Sequence, residues 1–180
     1  GTPEPLPTAA PSTTPLASAH SNKGIRIAHL LGLAHKYIKF YTKKSFQQSP
    51  LQTTDDFAFL ASLYQRGALR KNELIQLNTS EFTSGLEVIR RLERLGLIEA
   101  FADPQDRRAR RVQLTPAGQR AFHQALPHID RLGKLLSTCF STLEQKRLLA
   151  LLQQLNAFHN PIFHTAKAQS IQEILSDHAE

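Results

Sequence analysis

The chain has 180 residues, 41% of them hydrophobic, with a formal charge of +7 at pH 7 and one cysteine, Cys139. That length suits one domain with tails, the apolar fraction can supply a core, and a lone cysteine excludes an intrachain disulfide. No apolar run reaches the ~20 residues that a membrane-spanning helix needs, and the N-terminus lacks the positive start and apolar centre of a signal peptide, so the expected location is cytoplasmic. The positive charge is uneven. From Arg66 to Arg120 there are 11 Lys and Arg against 7 Asp and Glu, whereas after Arg120 the two balance at 5 each. Such an excess favours nucleic-acid association and is silent about fold.

Residues 1–22 carry Pro3, Pro5, Pro7, Pro11 and Pro15 among Thr, Ser and Ala. They have too little apolar surface to offset the entropy of ordering, which predicts a disordered arm. From Gly24 to Phe46 the pattern is helical and apolar on nearly all sides, through Ile25, Ile27, Leu30, Leu31, Leu33, Tyr37, Ile38, Phe40 and Tyr41. Such a helix has two faces to bury, more than one stripe against its own domain requires.

Thr53-Thr54-Asp55-Asp56 reads as a helix start with acids in the first turn, and Gly67 as its end. Ala68-Leu69 is a short extended piece, Asn72–Leu77 a short helix, and Asn78-Thr79-Ser80 the turn into a second helix over Glu81–Leu95. Phe82, Leu86, Ile89 and Leu92 recur at helical spacing and are expected to point inward. Thr83, Ser84, Glu87, Arg90, Arg91 and Arg94 then occupy the outer arc. Gly85, inside this helix, costs up to ~1 kcal/mol in propensity relative to Ala, which a close approach by a neighbouring helix or by DNA would explain.

Gly96 is placed to end that helix. Leu97–Phe101 and Val112–Leu114 alternate as two strands around the turn residues Asp103-Pro104-Gln105-Asp106. Arg107, Arg108, Arg110 and Arg111 then fall in one small loop, where nothing apolar is available to bury. Thr115-Pro116 caps and opens the next helix. Helix, hairpin and helix in this order make a winged unit.

The segments Leu92–Ile98, Asp103–Arg110 and Leu114–Gly118 resemble the MarR family of winged helix-turn-helix transcription regulators, and the resemblance covers roughly residues 24–158. The family wing reads Asp-x-Arg-Asp-x-Arg; this chain matches at Asp103, Asp106 and Arg108 and has Gln105 at the third place. The resemblance implies a mainly α (α+β) fold, a winged helix-turn-helix with N- and C-terminal dimerisation helices, and a homodimer. It also implies a small effector held between the DNA-binding lobe and the dimer helices, with repression the commoner outcome.

The expected divisions are the arm at 1–22, a dimerisation helix at 23–50, the DNA-binding lobe at 51–118, dimerisation helices at 119–160 and an extension at 161–180. In a helix-turn-helix the start of the second helix reaches base edges in a major groove, here Ser80, Thr83, Ser84 and Glu87. Arg107 and Arg110 are the expected minor-groove contacts of the wing. Arg108, also a DNA-binding candidate, is expected to be tied to Asp103 or Asp106. Arg70 and Lys71 are candidate phosphate contacts. The expected partner is a pseudo-palindromic double-stranded DNA with recognition helices in successive major grooves ~34 Å apart.

The later helices, Ala121–Leu136 and Leu143–Phe158, are rich in leucine, and Asn160-Pro161 is expected to break the second. Beyond it Ile171, Ile174 and Leu175 form a short stripe expected to dock on the dimer, with binding of a partner the alternative. No Gly-rich phosphate loop, HExxH or GxSxG occurs, so no enzyme is expected. No cofactor or metal is expected either: the histidines, among them His29, His35, His123, His128, His159 and His164, are scattered, and a metal-dependent sensor ranks low. Cys139, beside Phe140 in an apolar helical connection without an adjacent base, reads as inert. The alternative from another class is a winged-helix protein-interaction module without sequence-specific DNA binding.

Overall fold

The computed structural model describes residues 23–106 and 108–178. The expectations for the N-terminal arm and for Arg107 therefore lie outside the described residues. The chain divides into two units, residues 1–38 and 39–180, with the boundary inside the first helix, α1 (Lys23–Ser45). On the part of α1 in the first unit, Ile25, Ile27, Leu30, Leu31 and Tyr37 are exposed.

Local signals explain where the next elements begin and end. Thr53 caps α2 (Thr54–Arg66): its Oγ1 accepts from the Asp56 N–H at 3.1 Å, and Asp56 Oδ2 accepts from the Thr53 N–H at 3.0 Å. This reciprocal box satisfies amide donors that have no partner within the helix. Gly67 ends α2 at φ +75°, a conformation that costs glycine nothing. The strand β1 (Leu69–Arg70) leads directly into α3 (Lys71–Leu77). No side chain caps the N-terminus of α3; instead Glu73 Oε2 reaches back to accept the Arg70 N–H at 2.8 Å.

After a turn through Thr79, α4 (Phe82–Arg94) runs to Gly96, which takes φ +67° before the hairpin of β2 (Ile98–Ala102) and β3 (Arg110–Leu114). Thr115 then caps α5 (Pro116–Ser137), accepting from the Gly118 N–H at 3.0 Å with Pro116 in the first turn. Two further helices follow, α6 (Thr142–Thr165) and α7 (Ile171–His178).

The sheet has the order β1-β3-β2, all antiparallel, with Val112 opposite both Leu69 and Ala100 and fully buried. One apolar core joins Phe59, Leu60 and Leu63 of α2, Leu74 and Ile75 of α3, Val88, Ile89 and Leu92 of α4, the sheet, and Ala121, Phe122 and Ala125 of α5. The core is therefore that of the helix-turn-helix and its wing. From Thr142 to His159, by contrast, every residue of α6 is exposed, including Leu148, Leu149, Leu151, Leu152, Leu155 and Phe158.

Several details depart from the sequence-based expectations. Phe82, expected inside, is 51% exposed: the inward face of α4 is Gly85, Val88, Ile89 and Leu92, and the first turn projects past it. The helix break expected at Asn160-Pro161 does not occur; α6 continues to Thr165, with the Ala166 N–H bonded to the Ile162 carbonyl at 2.8 Å. Proline removes one donor, and hydrogen bonding resumes beyond it. Cys139 lies in the connection between α5 and α6, and it is exposed there. The short β1 becomes the third strand of the sheet, a partner that the extended piece at Ala68-Leu69 did not reveal.

Candidate nucleic-acid interface

Gly85 shows how α3 and α4 meet. A Cβ built there would stand 2.7 Å from Ile75 Cγ1 and 2.8 Å from Cγ2, so the glycine is required by the neighbouring helix. With Val88, Ile89 and Leu92 buried alongside it, α4 turns Thr83, Ser84, Glu87, Arg90 and Arg94 to solvent. Ser80 is half-buried, its hydroxyl 3.3 Å from the Asn78 carbonyl. The outer face at the start of α4 thus offers hydroxyls and a carboxylate, groups able to read base edges.

The position of α4 is fixed by a buried carboxylate. Arg91 donates from Nε at 2.9 Å and from Nη2 at 2.6 Å to Asp56 Oδ1, whose side chain is wholly inaccessible. The other oxygen, Oδ2, accepts from the Gln52 and Thr53 amides. Every strong acceptor site of Asp56 is thereby satisfied, as burial of a charge demands. The sequence places Arg91 on the outer arc of this helix; it is half-buried, and its partner is 35 residues away, at the start of α2.

Two of the candidate phosphate contacts are also held within the chain. Lys71 Nζ lies 2.8 Å from Glu93 Oε1, joining α3 to the end of α4, with both side chains 26% exposed. Arg70 Nε lies 2.7 Å from Asp103 Oδ2. The sequence ties Arg108 to Asp103 or Asp106; the strand order sets β1 beside β3 and brings Arg70 to Asp103, while Asp106 takes only the Arg108 main chain. The Gln105 N–H, bonded to Asp103 Oδ1 at 2.9 Å, and the Arg70 guanidinium hold this carboxyl below the usual range, while Asp103 raises Arg70. Gln105, where the family motif has arginine, so contributes its main chain to the wing turn.

The remaining wing cations differ in position. Arg108 is exposed; only its backbone N–H is bonded, to Asp106 Oδ1 at 3.0 Å, and its guanidinium makes no ion pair among the described residues. Arg110 and Arg111 belong to β3 and not to the tip. Arg110 is exposed, with Nη2 3.4 Å from the Ala100 carbonyl. Arg111 is half-buried: Nη2 donates to the Ala68 carbonyl at 3.1 Å, and Nε is enclosed without a partner among the described residues. Alternation along the strand separates these two neighbours, which a reading of the loop as a cluster did not capture.

A concavity of about 400 Å³ is lined by Lys44, Gln47, Gln48, His128, Arg131, Leu132 and Leu135 among others. Its three basic side chains face no acid in the lining. An Arg131 N–H lies 3.2 Å from His128 Nδ1, which orients the imidazole, and the ring of His128 packs edge-on against buried Phe46. Among the described residues no three His, Cys, Asp or Glu side chains gather as metal ligands, and no helix is long and apolar enough to cross a membrane.

Comparison with known proteins agrees with this geometry. Residues 52–118 match a family model described as a winged helix DNA-binding domain. The HTH-type transcriptional repressor NicR of Pseudomonas putida is 26% identical over 147 residues, 81% of this chain and 91% of NicR. Bordetella bronchiseptica BpsR, in a structure describing regulation of its DNA binding by 6-hydroxynicotinic acid, superimposes with a TM-score of 0.67. It is 24% identical, over 73% of this chain and 98% of BpsR. A mutant MarR of E. coli in complex with operator DNA gives a TM-score of 0.70 at 18% identity, over 79% of this chain and 99% of that one. The chain carries a winged helix DNA-binding domain and has the fold of the MarR-family transcription regulators.

Proposed function

We propose that this protein is a homodimeric, sequence-specific double-stranded DNA-binding repressor whose operator affinity is set by a small effector. The observation that carries this reading is the exposed polar start of α4 beside a wing that presents Arg108 and Arg110. Thr83, Ser84 and Glu87, with Ser80 at the turn, would read bases, and Arg107, Arg108 and Arg110 would meet the minor groove or backbone. Arg70 and Lys71, engaged with Asp103 and Glu93, would act as supports that present their donors' remaining N–H groups to phosphate. Residues 51–118 would form the lobe, 23–50 and 119–160 the dimer helices and 161–180 the extension. The wholly exposed apolar stretch of α6 gives the dimer its physical motive. The function takes place in the cytoplasm and assigns no catalysis to the chain.

Lys44, His128 and Arg131 around an apolar floor suit an organic acid, and 6-hydroxynicotinic acid, which regulates BpsR, is the first effector to try. An effector acts only through different affinities for the DNA-competent and incompetent arrangements. The test is selection from random duplexes with purified protein, followed by titration of the selected duplex against salt. An inverted repeat with a steep salt dependence supports the reading. No enriched sequence would favour the interaction module, for which the internal pairing of Arg70 and Lys71 is the supporting observation.

A further inference from the structure

Thr79 occupies the turn between α3 and α4 with φ +49°, and it is the one non-glycine residue with positive φ among the described residues. A β-branched residue is unfavourable there, because its Cβ substituents crowd the backbone. The turn is also the last fixed point before Ser80 and the first turn of α4. Backbone bonds from Thr79 N–H to the Gln76 carbonyl at 3.0 Å and from Ser80 N–H to the Ile75 carbonyl at 3.2 Å close it on the α3 side.

A side chain from a remote part of the sequence meets it. Asn160 Nδ2, on α6, donates to Thr79 Oγ1 at 2.9 Å across 81 residues. The bond falls where α6 changes character. Through His159 the helix is exposed, whereas Asn160, Ile162, Phe163 and His164 are half-buried and Ala166 is buried.

We infer that Asn160 is a positioning residue: it holds Thr79 in its strained conformation and so sets the start of the recognition helix from α6 of the same chain. The inference rests on the DNA-binding reading above for its functional consequence. A rotation of α6 would be felt at Ser80, Thr83 and Ser84 through one side-chain bond, without passing through the core.

The test uses the full chain with Asn160→Ala, Thr79→Gly and both together. Two readouts are taken: affinity for the selected operator against random duplex, and amide hydrogen exchange at Ser80. Asn160→Ala is expected to weaken operator binding roughly three- to tenfold, the scale of one hydrogen bond, with random-duplex affinity unchanged and the melting temperature lowered by about 2–4 °C. Exchange at Ser80 should accelerate by a similar factor. Thr79→Gly, which removes the strain, should make the Asn160 substitution silent in both readouts. Unchanged Ser80 exchange in Asn160→Ala, or an equal loss in the glycine background, overturns the inference. If wild-type protein selects no operator, the exchange measurement still decides whether Asn160 holds the turn.

Discussion

Arg70 and Asp103 join the strand before the helix-turn-helix to the first residue of the wing turn, at 2.7 Å and with the carboxylate fully enclosed. The wing is therefore fastened at its base, and its tip is free to present Arg108. Because Asp103 is held below its usual range, its contribution is complete above the ordinary aspartate value of about 4 and declines as pH falls through the lower folded value. Wild-type protein should lose wing order, read by amide exchange at Gln105 and Ala109, on acidification below about pH 4. Asp103→Asn should show the loosened wing already at pH 7, with little further change on acidification through this group.

Asp56 and Arg91 form the stronger constraint. Arg91→Ala leaves a buried carboxylate with only its two amide partners, and Asp56→Ala removes the carboxylate half of the α2 capping box as well. Each is expected to lower unfolding free energy by about 2–4 kcal/mol, from the cost of breaking a buried pair and a cap. Asp56→Ala should be the more damaging of the two by urea denaturation. Equal stability of either variant and wild type would refute the anchor.

Gly85 and Gly118 respond differently to the same substitution. At Gly85 an added Cβ meets the side chain of Ile75, a core residue that can shift by tenths of an ångström. Overpacking of about 1–3 kcal/mol set against a propensity gain of about 1 kcal/mol leaves Gly85→Ala destabilised by roughly 1 kcal/mol. At Gly118 the Cβ would meet the backbone carbonyl of Leu97, which also accepts the Thr115 N–H. Gly118→Ala should therefore cost more than Gly85→Ala in the same denaturation assay.

Base and backbone readers should separate in DNA titrations. Arg108→Ala and Arg110→Ala are expected to weaken binding to all duplexes alike and to lower the salt slope by about 1 for each phosphate no longer neutralised. Thr83→Ala and Ser84→Ala should instead alter sequence preference, by about 1–3 kcal/mol at the base pair they touch. Identical effects of the two pairs on operator and random duplex would contradict the assigned roles.

Leu151 is 63% exposed on α6 within its own chain. If α6 joins two copies as proposed, Leu151→Arg should leave a species with the 20.2 kDa mass of one chain by light scattering, while the amide protection of the lobe persists. A mass equal to that of wild type would show that α6 does not mediate association.

Much of this architecture is legible in the sequence because its signals are local. Thr53 with Asp56, Gly67, Gly96 and Thr115-Pro116 each mark an element boundary within four residues, and the structure places those boundaries as expected. The hairpin follows from alternation, and the recognition helix follows from Ile89 and Leu92. What the sequence hides is pairing at a distance. Asp56 reads as a first-turn acid, with no sign that Arg91 will cover it; Asp103 and Arg70 meet only because β1 joins β3. Phe82 fails for a related reason, since periodicity gives a face but not where the neighbouring helix stops covering it.

The lobe's core and the exposed face of α6 draw on different residues. Damage to one need not reach the other. If copies associate through α6 as proposed, a copy with a crippled recognition helix would retain every apolar side chain of that face. Mixed with intact protein, it would sequester functional chains into pairs that hold half an inverted repeat, so loss-of-function changes in α4 would act as dominant inhibitors, whereas changes that disrupt α6 would be recessive.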